Sequence, residues 1–309
     1  MEPFLSIVTD INVVESKDSE ASITKGINNR KRSMVGFAEI SWVCWILVVG
    51  CLAPLCITVD RINAQTCIVI RRTPSTIYVG ADSKTVTYPD PRKGTYYVGS
   101  KCKIRQEGKT FFAIAAHLSF DGDAIARESI RRGRTLGEKS MMFETLVKEK
   151  LIAMLEETRT DYPLVYKNTF VGKSALQIVF CGFENRIPAC LTRDYMAINT
   201  MIEPIRLSTE TSEIPGNLSP FRSFTTLLGA TEKIEPLIGN GEFWKGKTPI
   251  DGIRVLIDIE TKAEGSIVGG PVDILRITAS QAEWIQKKKE CPDIQAPLKN
   301  LSKKPKTAN

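Results

Sequence analysis

Residues 66–84, TCIVIRRTPSTIYVGADSK, carry the strongest structural signal in the chain. Residues 66–72 and 76–81 are short runs rich in β-branched and aromatic side chains, and Thr73-Pro74-Ser75 between them is turn chemistry. The pattern predicts a hairpin. Its second strand runs into Gly80-Ala81-Asp82-Ser83-Lys84, which sets a carboxylate, a hydroxyl and an amine at one strand end.

Moving outward, a polar stretch through Pro89, Pro91 and Gly94 reads as an exposed loop. Strands follow at 101–105 and 110–116, joined around Glu107-Gly108-Lys109. A helix starts near Asp121, with Ala124, Ile125, Glu128, Ser129 and Arg132 at helical spacing, and Gly133 ends it. A longer amphipathic helix over 137–158 carries Phe143, Leu146, Val147, Leu151, Met154 and Leu155 on its apolar face. Residues 175–183 form a buried strand and 186–192 an alternating one, with a further strand expected within 195–206. A polar loop at 209–220 leads to a short helix near Thr231, a helix over 249–262 and a last clear strand at 272–277. Strands in groups and helices in pairs predict an α+β fold of antiparallel sheets, arranged as a layered sandwich.

The first 65 residues read as an address rather than a domain. Residues 1–39 are a polar, basic leader that includes Arg30-Lys31-Arg32; residues 40–65 hold an almost uncharged apolar run broken by Pro54. A run of about 20 apolar residues just spans a bilayer, while a signal-peptide core is shorter. A cleaved signal peptide, a single-pass membrane anchor through 40–59 and a buried helix all fit, and the first two put the body outside the cytoplasm. Met34 is an alternative start. The body is expected over 66–285, and 286–309 reads as a mobile basic tail.

The chain has 309 residues and a formal net charge of +7, with much of the excess in Arg30-Lys31-Arg32 and in the tail from Lys299 to Lys306. Without a basic stripe interleaved with aromatics, no nucleic-acid partner is expected. Eight cysteines, no CxxC spacing and a single histidine give no metal pattern, and no cofactor is expected. Cys181 and Cys190 fit either a disulfide across a hairpin or two buried thiols on adjacent strands.

The order of elements and the motifs around residue 66 resemble proteasome β-type subunits, which are N-terminal-nucleophile (Ntn) hydrolases. Those subunits open with a nucleophilic Thr on the first strand of a four-layer αββα sandwich, and a GADS-like motif follows. Here Thr66 and Asp82 are sixteen residues apart, as in the family. Lys103-Ile104 resembles the family's next marker, after a longer loop than usual. Residues 112–116 look like the strand that leads to the oxyanion turn, and Gly269-Gly270-Pro271-Val272-Asp273-Ile274 is similar to the late double-glycine strand.

The resemblance implies that processing after Gln65 exposes the Thr66 amine. That amine, titrating near 7.7–8, takes the Thr hydroxyl proton. Lys103 supplies positive charge, Asp82 anchors it, and the turn at Ala116 and His117 binds the oxyanion. The implied activity is hydrolysis of an amide bond in a peptide or small amide, by an exported enzyme whose expected partners are its substrate and further copies of itself. Each residue also has a plainer reading: Thr66 opening a strand, Asp82 capping a turn, Lys103 on a strand edge with Lys101 as its rival, and His117 at a strand end. Cys67 is a rival nucleophile one residue on. The sequence departs from the family at Ala115-Ala116, at Gly229-Ala230-Thr231, at Glu264-Gly265-Ser266 and at Gln65. Those departures leave a catalytically inactive fold, acting as a binding or assembly module, as the alternative.

Overall fold

Strand β1 (Cys67–Arg72) is apolar on both faces because both faces are covered. Ile68 and Ile70 point into one apolar cluster and Cys67 and Val69 into another, following the two-residue period of a strand. A computed structural model describes this and the rest of the body over residues 66–90, 95–116, 118–198, 201–214, 222–239, 241–265 and 267–294. The leader 1–39, the apolar segment 40–65, His117, the loop portion 215–220, Ser266 and the tail from 295 lie outside the described residues.

Among the described residues the chain is mixed α+β with three antiparallel sheets. β1 and β2 (Thr76–Ala81) form the expected hairpin at the centre of a five-stranded sheet ordered β10-β1-β2-β11-β12. Its other members are β10 (Phe224–Gly229), β11 (Asp273–Thr278) and β12 (Ala282–Gln286). A second five-stranded sheet runs in sequence order: β5 (Ile104–Glu107), β6 (Thr110–Ala116), β7 (Ser174–Glu184), β8 (Ile187–Ala197) and β9 (Leu207–Ile214). A separate two-stranded sheet pairs β3 (Lys84–Asp90) with β4 (Thr95–Ser100).

Helices α1 (Gly122–Arg132) and α2 (Leu136–Asp161) lie between β6 and β7 in sequence, with a short α3 (Pro163–Thr169) after them. Asp121 and Thr135 cap α1 and α2 by accepting the N–H of Ala124 and Glu138. A four-residue α4 (Glu235–Ile238) and α5 (Pro249–Ala263) separate β10 from β11, and Thr248 caps α5. Among the described residues, no helix is long and apolar enough to cross a membrane.

Three apolar clusters hold these elements. One contains Ile68, Ile70, Val79 and Leu275 from the first sheet together with Phe111, Ala113 and Val179 from the second. Another joins Phe112, Ile178 and Phe180 to Phe143, Val147 and Leu151 of α2. The third joins Val69 and Ile274 to Ile253, Leu256 and Ile257 of α5. Each fully buried aliphatic side chain contributes roughly 1.5–3 kcal/mol. At Gly80 the helix comes so close that a Cβ would lie 2.1 Å from Ile253 Cγ2, so only glycine fits there.

Several elements differ from the sequence reading, each for a local reason. Pro89, expected in a loop, lies in β3, which pairs with β4, while Pro91 and Gly94 lie outside the described residues. The β-prone residues on either side outweigh the prolines, and the register shifts between Thr87 and Asp90, where Pro89 falls. The loop expected over 209–220 begins as β9, an edge strand in which Thr209 and Thr211 alternate with Glu and Ser. β8 absorbs the start of the strand expected within 195–206 and stops at Ala197. Lys103 does not sit inside a strand but just before β5. Strands β10 and β12 are additional, and the packed chain continues past Gln286, where Lys288 and Cys291 are buried.

Candidate active site

Asp82 follows directly on β2 and is 0% exposed. A carboxylate in that position must be met by donors, and three reach it. Oδ1 accepts the Cys67 N–H at 2.8 Å and the Lys103 ammonium at 2.7 Å; Oδ2 accepts the Gly269 N–H at 3.1 Å. The Asp82 N–H in turn donates to the Cys67 carbonyl at 3.1 Å. The carboxylate therefore pins together the start of β1, the approach to β5 and the double glycine before β11.

Lys103 is 8% exposed. Burial draws its pKa below the ordinary lysine range, and the Asp82 carboxylate acts against that fall. Lys101, its sequence rival, is exposed and pairs with Asp123 at 3.3 Å. Thr66 is buried immediately before β1, and its carbonyl accepts the Ala230 N–H at 2.8 Å. Gly229 beside it has φ +86°, and a Cβ there would fall 1.8 Å from the Thr66 carbonyl oxygen. Residues 229–230 thus lie flush against the Thr66 peptide.

A cleft of about 190 Å³ opens beside this group, lined by Thr66, Lys103, Ile114, Ala116, Leu118 and Phe120. Asp123, which also lines it, is held by Lys101 and by Arg105 at 3.2 Å. Of the residues singled out in the sequence, Thr66, Asp82, Lys103 and Ala116 are gathered here. Cys67 is not on the cleft: its side chain packs with Val69 and Ile253. Burial, with the Asp82 charge adding to it, pushes the Cys67 thiol well above the usual range.

Sequence reasoning missed three supports of the site. Cys102, next to Lys103 and on the cleft, forms a disulfide with Cys291 across a separation of 189 residues. Asp273 gathers with these two cysteines, but sulfurs joined in a disulfide offer no thiolate to a metal. Cys67, Cys181 and Cys190 are free thiols, so the pair on adjacent strands β7 and β8 is buried and unbridged. Lys288 reaches Asp273 at 3.5 Å and donates to Ser100 Oγ at 3.2 Å and to the Lys101 carbonyl, steadying the segment that leads to Lys103. Gln177 donates to Asp194 and accepts the Gly229 N–H, next to the residue that bonds the Thr66 carbonyl. Its signal was a single polar residue inside the apolar run 175–181.

No protein-family model matches the chain, and a search of curated proteins finds no match to it.

Proposed function

We propose that the body is a proteasome-like Ntn hydrolase that uses Thr66, once it is N-terminal, to cut an amide bond. The buried Lys103–Asp82 pair beside Thr66 carries this reading. An ammonium with 5% of its side chain exposed is costly to keep for packing alone. Beside a hydroxyl it stabilises the developing alkoxide. Support for the fold comes from the apolar cluster shared by the two five-stranded sheets, and from the helices packed on each: α1 and α2 with one, α5 with the other. That arrangement is compatible with a four-layer αββα sandwich.

In this mechanism the α-amine of Thr66 takes the Oγ proton, and Oγ attacks the substrate carbonyl carbon. Lys103 offsets the charge on Oγ, and Asp82 keeps the ammonium oriented. The amine then delivers its proton to the leaving nitrogen as the C–N bond breaks. Water hydrolyses the resulting ester and restores Thr66. The cleft sets Ile114, Ala116, Leu118 and Phe120 beside Lys101, Asp121 and Asp123, so it offers a peptide or small amide both apolar and charged contacts. The Cys102–Cys291 disulfide favours an oxidising compartment and hence export.

The test is the mature N-terminus of protein recovered from expressing cells, read by intact mass or terminal sequencing. A start at Thr66 is expected, with turnover of fluorogenic peptidyl amides that Thr66→Ala abolishes without unfolding the protein. A start at Gln65, or an unprocessed chain without turnover, would replace this reading with the inactive binding or assembly module.

A further inference from the structure

We propose that Gln177 is a positioning residue for Thr66 and that Asp194 sets its orientation; the catalytic consequence rests on the hydrolase reading above. Gln177 sits in β7, in register with Ala115 of β6 on one side and Asp194 of β8 on the other. Its Oε1 accepts the Gly229 N–H at 2.7 Å, which spans from the second sheet to the first. Gly229 and Ala230 are the residues that lie against the Thr66 peptide, so the amide of Gln177 holds the grip on residue 66 from behind.

A side-chain amide has two different ends, and something must decide which faces Gly229. Here Nε2 donates to Asp194 Oδ2 at 2.8 Å and lies 3.3 Å from Ser174 Oγ, and the Ser174 hydroxyl donates to the same Asp194 oxygen at 2.6 Å. A carboxylate only accepts, so Nε2 must face Asp194 and Oε1 must face the Gly229 N–H. The reversed amide would set oxygen against carboxylate and N–H against N–H. The other oxygen of Asp194, Oδ1, is buried with no hydrogen-bond partner. A cavity of about 280 Å³ adjoins the network, lined by Ser174, Gln177, Gly229 and Ala230. The charged groups around it are Asp194 from β8, Lys173 ahead of β7 and Glu232 after β10. Lys173 donates to the Asn168 carbonyl, and Glu232 accepts the Thr231 N–H.

Fixing the carbonyl of Thr66 fixes the backbone that carries its Oγ, and misplacement of a reacting group by an ångström costs rate about a hundredfold. The test uses the full gene product as it matures in the cell. Gln177→Glu puts a second carboxyl group against Asp194, and two such groups share one proton. Protonated, the new side chain can donate to Asp194 and accept from Gly229 as Gln177 does; ionised, it repels Asp194. With a fluorogenic peptidyl amide, kcat of Gln177→Glu relative to wild type is expected to fall about tenfold or more at pH 8. The ratio is expected to climb as the pH is lowered, with KM little changed. Gln177→Leu is expected to lose kcat at every pH and to speed hydrogen exchange at the Gly229 and Ala230 amides, while β6 and β7 keep their protection. A pH-independent ratio for Gln177→Glu overturns the proposal, as does unchanged exchange at Gly229 and Ala230 in Gln177→Leu. Absence of turnover in wild type would sink the hydrolase reading by itself. The exchange measurement still decides whether Gln177 holds the Thr66 grip.

Discussion

Asp82 and Lys103 each offset the other's charge in the interior. Removing one partner of a buried pair leaves a stranded charge, which costs about 3–5 kcal/mol. Lys103→Met and Asp82→Ala are each expected to destabilise by about that amount in urea titrations. The double variant should cost clearly less than the sum, because neither charge is then left unpaired. Additive losses would mean that the pair contributes nothing as a pair. Cys67 gives a second expectation at this scale. Its thiol is 0% exposed, and both burial and the Asp82 charge disfavour the thiolate. It should therefore resist iodoacetamide at pH 8 in the folded protein and react once the protein is unfolded. Peptide mapping checks this, and rapid native labelling would restore Cys67 as a rival nucleophile.

Between elements, Glu107 at the end of β5 ties the second sheet to α1 through Arg127 at 2.9 Å and Arg131 at 3.0 Å. Burial raises the carboxyl pKa, but the hydrogen bonds from Arg131 and Arg127 outweigh it, so Glu107 sits below the usual range. Its contribution is present above the unfolded pKa, near 4.3, and disappears as the pH falls through the lower folded value. Glu107→Gln should cost about 0.5–1 kcal/mol at pH 7, since both arginines are partly exposed. That difference should vanish in strong acid, as thermal melts at several pH values would reveal. Elements whose periodicity was undisturbed were legible in the sequence: the hairpin of β1 and β2, the amphipathic α2 and the capped α5. β3 and β4 were hidden by prolines, and β9 by the polar side chains an edge strand tolerates. At the site, the spacing from Thr66 to Asp82 was readable because consecutive hairpin strands fix it. Gln177, Lys288 and the Cys102–Cys291 pairing were not, because each depends on contacts between segments far apart in the chain.

For the molecule as a whole, the same disulfide ties the segment after β12 to the residue beside Lys103. Closing so long a stretch restricts the unfolded chain, and removing such a bond typically costs 2–5 kcal/mol. Cys291→Ser is expected to lower stability by roughly that amount and to expose residues 287–294 to proteolysis. Unchanged stability would show the bridge to be dispensable. The bridge also makes residues 102–291 a covalent ring. A single nick anywhere inside it adds a water and releases nothing, so the cut molecule keeps its size until a reductant parts the two pieces. A cut ahead of Thr66 lies outside that ring, and everything upstream of it is shed at once.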